Sequence, residues 1–272
     1  MVVWLADLVW KLLMEFRFVQ TGVALACFVS IASAQTQQPK TLDPSTQLLV
    51  VTTADWNSVE GVLQRYERRH PSEIWKTVGD RITVVVGERG LGWGVGEFPT
   101  DNPQTRDPMD PVKKEGDGKA PAGVFTLSTA FGYAAQAKAG WKMPYLRLTA
   151  SVECVDDSTS KFYNRVLDRS EVSPDWNSSE HMLRPDELYR WGIVVDHNAK
   201  PPNPGTGSCI FMHIWSGRGR GTVGCTAMPQ EKLESVLGWL DPARKPLLVQ
   251  LPLPQYQKLK KRWKLPDLVS DN

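Results

Sequence analysis

The stretch from Ser208 to Met228 places strong limits on how this chain can fold. Ser208–Ile214 is an apolar run typical of a buried strand, and it contains His213 near its end. A loop with glycines at positions 217, 219, 221 and 224 follows and leads to Cys225. Because glycine permits tight reversals and close backbone contacts, we expect this loop to fold back and bring His213 and Cys225 within hydrogen-bond reach.

Two interpretations of this histidine and cysteine are open. A thiol beside a base forms a thiolate near neutral pH and acts as a nucleophile, and backbone N–H groups next to the cysteine can hold an oxyanion. Alternatively, Cys225 is a small buried hydrophobic residue and His213 is a hydrogen-bonded structural residue. The rest of the sequence bears on this choice.

The N-terminal residues have the pattern of an export signal. Arg17 precedes the apolar run Gly22–Val29, and Ala32-Ser-Ala34 matches a cleavage site of the A-x-A type. We therefore expect residues 1–34 to be a signal peptide that sends the protein to the periplasm or cell envelope, and residues 35–46 to be a linker. A membrane anchor is the competing interpretation, but the apolar run is shorter than the ~20 residues that a span needs.

Three cysteines follow the predicted signal peptide: Cys154, Cys209 and Cys225. An odd number in an exported protein suggests one disulfide and one free thiol. We favour a bond between Cys154 and Cys209, which leaves Cys225 free for chemistry. Three reduced cysteines, or a bond that includes Cys225, are the alternatives that the sequence leaves open.

Most of the chain is predicted to form strands, so the expected fold class is mainly β, largely antiparallel, with a few peripheral α-helices. One helix is expected from the spacing of Trp56, Val59, Leu63 and Tyr66, and another after Pro229. Leu91–Val95 is expected to form a hairpin with the strand before it. Strands are predicted at residues 47–53, 82–86, 123–127, 190–195, 208–214 and 247–251.

Three other segments are predicted to lie outside the regular sheet. Residues 97–122 are rich in turns and are a candidate cover for a cleft, and the charges of residues 113–119 are expected in a solvated loop. Residues 154–190 are expected to be an excursion from the sheet. Residues 255–272 are lysine-rich and are predicted to be a basic tail, either solvated or in contact with an anionic wall or membrane. A formal net charge of +2 gives no indication of nucleic-acid binding.

Two motifs resemble those of the L,D-transpeptidase catalytic domain, the YkuD-type family of bacterial cell-wall enzymes. Ala120-Pro-Ala-Gly-Val-Phe125 is similar to the family's Thr-Pro-x-Gly-x-Phe element, with Ala120 in place of threonine. His213 followed by Thr222-Val-Gly-Cys225 is similar to the family's His…Ser-x-Gly-Cys motif. The resemblance covers roughly residues 46–252. It implies a YkuD-like mixed β-sandwich or barrel, with the catalytic domain at residues 47–254.

The resemblance also implies roles for the residues of the second motif. Cys225 would be the nucleophile and His213 its base, with the carbonyl of Ile214 as a candidate to orient the imidazole. Thr222 corresponds to a serine that shapes the pocket. Gly224 and Cys225 would supply N–H groups for the oxyanion.

The implied reaction is acyl transfer on peptidoglycan stem peptides, through a cysteinyl thioester and without a cofactor or metal. An amine of a second stem peptide would resolve the thioester and form a cross-link. Water in place of the amine would make the protein an L,D-carboxypeptidase or an amidase. Substrate contacts are expected from residues of the loop and of a neighbouring strand end, namely Arg218, Arg220, Trp215, His197 and Asn198.

The sequence departs from the family pattern at two positions beside the cysteine. Val223 stands where many members have histidine, and Ala227 stands where many have arginine or asparagine. These departures leave open a non-catalytic module that binds the cell wall. A zinc hydrolase is a third possibility, based only on suitable ligand types at Asp196, His197, His213 and Cys225.

Overall fold

Thirteen strands and two α-helices make up the part of the chain that the computed structural model describes, residues 42–269. The predicted signal peptide and most of the predicted linker lie outside these residues. A mainly β fold is therefore confirmed. The strands are β1 Gln47–Thr53, β2 Glu60–Glu67, β3 Lys76–Val85, β4 Leu91–Trp93, β5 Ala120–Gly132, β6 Tyr145–Arg147, β7 Val152–Val155, β8 Val166–Asp168, β9 Ser179–His181, β10 Trp191–Val195, β11 Phe211–Ile214, β12 Thr226–Met228 and β13 Leu247–Pro252; the helices are α1 Gln230–Trp239 and α2 Leu253–Trp263.

Eight of the strands close into a mixed barrel. Neighbouring strands are hydrogen-bonded in the order β5, β10, β11, β12, β3, β2, β1, β13 and back to β5. The pairs β1–β13 and β11–β12 are parallel and the other six are antiparallel. The predicted fold class, a mixed sandwich or barrel with few helices, is confirmed.

The helix predicted from Trp56, Val59, Leu63 and Tyr66 is wrong, because Glu60–Glu67 form the strand β2. It pairs antiparallel with both β1 and β3, and its register against β3 shifts between Leu63 and Arg65. The additional residues of this β-bulge are in β3, where residues 79–81 stand opposite the single residue Gln64, whereas the register of β2 against β1 is regular. Leu63 and Tyr66 lie on opposite faces of β2, and both side chains are buried. The spacing of the buried residues Leu63 and Tyr66 therefore imitates a helix.

The hairpin predicted for Leu91–Val95 is also wrong. Only Gly87 and Gly90 bridge across the turn, whereas β4 pairs parallel with the start of β5, with Leu91 opposite Ala120. Gly90 has φ +75°, and a Cβ there would lie 2.0 Å from the Trp56 carbonyl oxygen. The turn at Gly90 is thus held tightly against residues 56–57. After this turn the chain pairs with β5 and not with β3.

The segment predicted to be a basic tail instead forms the helix α2. Its buried face consists of Tyr256, Leu259 and Trp263, and it packs on β1 and β13. At the other end of the described chain, Leu42 is buried in the same core, although it was placed in the linker. The folded unit therefore extends past both boundaries predicted at residues 47 and 254. Helix α1, expected after Pro229, is confirmed.

The excursion predicted at residues 154–190 is a separate three-stranded sheet in the order β8, β7, β9. A disulfide between Cys154 of β7 and Cys209 joins it to the barrel, and Cys225 is the free cysteine among residues 42–269, as favoured from the sequence. This bond is compatible with an oxidising, exported location. None of the helices within residues 42–269 is long and apolar enough to cross a membrane.

Candidate active site

The parallel strands β11 and β12 bring Cys225 next to the strand that contains His213. His213 lies opposite Ala227, and Cys225 immediately precedes β12. The backbone N–H of Phe211 donates to Cys225 Sγ at 3.3 Å, and the thiol donates to the Cys209 carbonyl at 3.6 Å. Because side chains alternate along a strand, Phe211 and His213 lie on one face of β11. The thiol and the imidazole therefore belong to the same side of the sheet.

Tyr189 is the side chain that connects the two. Its ring packs edge-on against His213 at 5.0 Å and against Phe211 at 5.7 Å, and its hydroxyl donates to Glu180 at 2.6 Å. Tyr189, Phe211 and Cys225 belong to one buried cluster. Within residues 42–269 no hydrogen bond joins the thiol to the imidazole, so the direct contact expected from the sequence is not formed in this structure.

The imidazole of His213 is oriented by its own strand. Nδ1 lies 2.8 Å from the carbonyl oxygen of Ile214, the partner that the resemblance implied. A carbonyl oxygen only accepts hydrogen bonds, so this contact assigns the proton of the neutral ring to Nδ1. The lone pair is then on Nε2, which is the arrangement that a general base needs.

Burial keeps both groups uncharged. Cys225 is 4% exposed and His213 is 6% exposed. Desolvation raises the pKa of the Cys225 thiol to about 12 and lowers the pKa of the His213 imidazole to about 4. The structure therefore holds a neutral thiol beside a neutral base, and the thiolate forms only when the environment of Cys225 changes.

Thr222 fixes the backbone in front of the cysteine. Its hydroxyl donates to the Cys225 carbonyl at 2.6 Å and accepts from the Gly224 N–H at 3.1 Å. The Gly224 N–H is thus occupied, which argues against the oxyanion role that the resemblance implied for it. The Cys225 N–H donates to no acceptor in the described part of the chain and is the remaining candidate.

Replacing Thr222 with alanine is expected to destabilise the protein by about 1–3 kcal/mol, because the Cys225 carbonyl and the Gly224 N–H each lose a partner. Thr222→Ser keeps the hydroxyl and should retain most of the stability. Urea unfolding of both variants measures this difference. Equal losses in the two variants would show that the hydroxyl is not the stabilising group.

The arginines predicted to bind substrate lie on the exposed loop between β11 and Cys225. The Arg218 guanidinium lies 3.3 Å from the Glu60 carboxylate, and Arg220 has no side-chain partner within residues 42–269. Trp215 follows β11 and is half-buried. Nothing in the described residues brings these three side chains to the thiol, and their roles stay predictions.

His197 and Asn198 have a structural role that the sequence did not suggest. Asn198 has φ +51°, and its side-chain amide donates to the carbonyls of Asn203 and Gly207. His197 Nε2 lies 3.0 Å from the Thr206 carbonyl oxygen, and its ring packs edge-on against Phe125. Their polar groups hold the 198–207 loop, and their contacts with substrate stay predictions.

The two buried histidines predict that the fold is sensitive to acid. In unfolded chains histidine takes up a proton near pH 6.5, whereas burial lowers the pKa of both His197 and His213 to about 4. Between these values the unfolded chain binds more protons, so stability decreases as the pH falls from 6.5 to 4, by about 3 kcal/mol for each histidine. Thermal unfolding from pH 7 to 4 should show this slope. His213→Asn should reduce it, and His70→Asn, at an exposed position, should not.

Lys113 is a buried cation beside the active-site loop, in a segment that was predicted to be solvated. It is 4% exposed, and its ammonium donates to Asp117 at 2.6 Å and to the Lys114 carbonyl at 2.7 Å. The ammonium lies 3.9 Å from the position that a Cβ on Gly224 would take. Its charge acts to lower the pKa of Cys225, against the larger effect of burial. Lysine is rarely buried, so no signal in the sequence indicated this role.

No group of three or more His, Cys, Asp or Glu side chains in the described chain is positioned to share a metal ion. The ligand set considered for a zinc hydrolase is therefore not assembled.

Comparisons of the chain with family models, with curated proteins and with solved structures found no match. The geometry of the site and the sequence motifs therefore carry the functional argument.

Proposed function

We propose that this protein is a cysteine-dependent L,D-transpeptidase that acts on peptidoglycan stem peptides in the periplasm or cell envelope. The observation that carries the proposal is the orientation of His213. Its Nδ1 is held by the Ile214 carbonyl, and its ring packs against Tyr189, which belongs to the same buried cluster as the free thiol of Cys225. A histidine in a fixed tautomer beside the single free cysteine of the described chain is the arrangement of a base and its nucleophile.

The proposed reaction has two acyl-transfer steps. Cys225 Sγ attacks the carbonyl on the L-centre side of a bond to a D-amino acid, while His213 Nε2 accepts the thiol proton. The Cys225 N–H donates to the oxyanion as it develops. The C–N bond then breaks, and the leaving amine takes the proton from His213. An amine of a second stem peptide then attacks the thioester carbonyl while His213 Nε2 accepts the amine proton. The C–S bond breaks, the thiolate takes the proton back from His213, and an amide cross-link is formed.

The burial of Cys225 requires a movement before the first step. The residues that share its cluster include Leu148 before β7, Val152 of β7 and Met182 after β9, and none of them comes from residues 97–122. Displacing these side chains would admit substrate and water. Solvation would then bring the pKa of the thiol back toward its ordinary value.

The test is incubation of the mature protein with purified muropeptides, followed by mass spectrometry of the products. Transfer gives a cross-linked dimer and a released D-amino acid, whereas hydrolysis gives the shortened stem alone. Cys225→Ala should give neither product. Equal product from wild type and Cys225→Ala would contradict the proposal, and the absence of product with retained binding to cell walls would favour the binding-module alternative.

A further inference from the structure

A cavity of about 290 Å³ lies between the three-stranded sheet and the barrel. Its lining includes the Cys154–Cys209 disulfide, Phe211 and Asp196 of the barrel side, and Arg165 of the excursion. The volume is large enough for one amino-acid residue. Both the excursion and the barrel contribute residues to this cavity.

The backbone of residues 209–211 contributes both to the lining of the cavity and to the surroundings of the nucleophile. Cys209 and Phe211, which line it, are also the two residues whose backbone groups bond to the Cys225 thiol, at 3.6 Å and 3.3 Å. A ligand held in the cavity would thus lie next to the segment that carries the thiol.

Asp196 gives the cavity a fixed negative charge. Its two carboxylate oxygens accept from the hydroxyls of Thr126 and Ser128, each at 2.7 Å, and its side chain is 12% exposed. The ammonium of Lys200 is 3.9 Å away, but that side chain is 80% exposed, and such pairs are weak. A ligand ammonium can therefore compete for this carboxylate.

Arg165 gives the same cavity a positive charge. Its side chain is exposed and makes no hydrogen bond or ion pair within residues 42–269. A guanidinium binds carboxylates through two parallel hydrogen bonds. The cavity therefore presents the guanidinium of Arg165 and the carboxylate of Asp196 to a ligand.

We propose that this cavity binds a zwitterionic amino-acid centre, with its ammonium at Asp196 and its carboxylate at Arg165. The identity of the ligand rests on the proposed function, in which the centre belongs to a stem peptide. The charge pattern of the cavity does not depend on that function.

Three probes test the contacts of the ammonium and of the carboxylate one at a time. D-alanine carries both, N-acetyl-D-alanine lacks the ammonium, and D-alanine methyl ester lacks the carboxylate. Titration of the mature protein, followed by NMR of the backbone amides of Cys209, Phe211 and Asp196, should show saturable shifts with D-alanine. Each derivative should bind at least about tenfold more weakly, because one charge-assisted contact is lost.

Two variants assign the contacts. Arg165→Gln should weaken D-alanine binding about tenfold and leave the fold intact, since the exposed side chain makes no hydrogen bond or ion pair within residues 42–269. Asp196→Asn should weaken binding by a similar factor, because the contact with the ligand ammonium is lost. Arg69→Gln, at an exposed arginine that follows β2, should bind like wild type. Equal binding of all three probes, no saturable shift, or unchanged binding by Arg165→Gln would overturn the proposal. Binding that persists in Cys225→Ala separates this result from any failure of the proposed reaction.

Discussion

Replacing His213 with asparagine is expected to slow acylation of Cys225 by about 10²–10⁴-fold, the usual contribution of a general base. Asparagine cannot accept the thiol proton at the position of Nε2. The measurement is the rate at which a carbapenem adds to the protein, followed by intact mass, because these drugs acylate the nucleophilic cysteine of many enzymes that the sequence resembles.

The matched control for this substitution is His181→Asn, at an exposed histidine of β9. It should acylate at the rate of the wild type. Because His213 is buried, thermal unfolding of His213→Asn must show that the variant is folded at the assay temperature. A folded His213→Asn protein that acylates as fast as wild type would show that His213 is a structural residue.

Removing the disulfide is expected to destabilise the protein by about 4 kcal/mol. Cys154 and Cys209 are 55 residues apart in sequence, and the loss of closure entropy for a loop of this size gives that value. For a domain of this size the melting temperature should fall by about 10 °C. The double variant Cys154→Ala, Cys209→Ala, measured by thermal unfolding, tests this.

The same double variant should also expose the active-site thiol. The disulfide joins the excursion to the barrel at Cys209, whose carbonyl accepts from Cys225 Sγ. Alkylation of Cys225 by iodoacetamide should therefore be faster in the double variant than in the wild type, at a temperature where both are folded. Unchanged melting and unchanged alkylation would show that the bond neither stabilises the fold nor holds the cover in place.

The barrel strands could be predicted from the sequence where a strand is buried on both faces. β1 and β13 are continuous apolar runs, and such runs mark strands that are covered on both sides. The strand β2 could not be predicted, because Leu63 and Tyr66 lie on opposite faces that are both covered, so its buried residues do not alternate as they do in a strand with one exposed face. Helix α2 was hidden by its lysines, although Tyr256, Leu259 and Trp263 follow helical spacing.

In the candidate site, contacts between residues close in sequence could be predicted, whereas contacts between distant segments could not. The contact of His213 with Ile214 and the turn at Thr222 involve residues close in sequence, and the motif was sufficient to indicate them. The burial of Cys225 and the position of Lys113 depend on segments that are distant in sequence. Both features became visible only in the structure, where the excursion and the 113–119 loop pack around Gly224 and Cys225.

Intact-mass spectrometry of the mature protein with a carbapenem, beside Cys225→Ala, tests the central claim most directly. The account predicts a stable covalent adduct on the wild type and none on the variant. An adduct of equal yield on both proteins, or no adduct on a wild-type protein whose Cys225 is shown by thiol titration to be reduced, would contradict the assignment of Cys225 as the nucleophile.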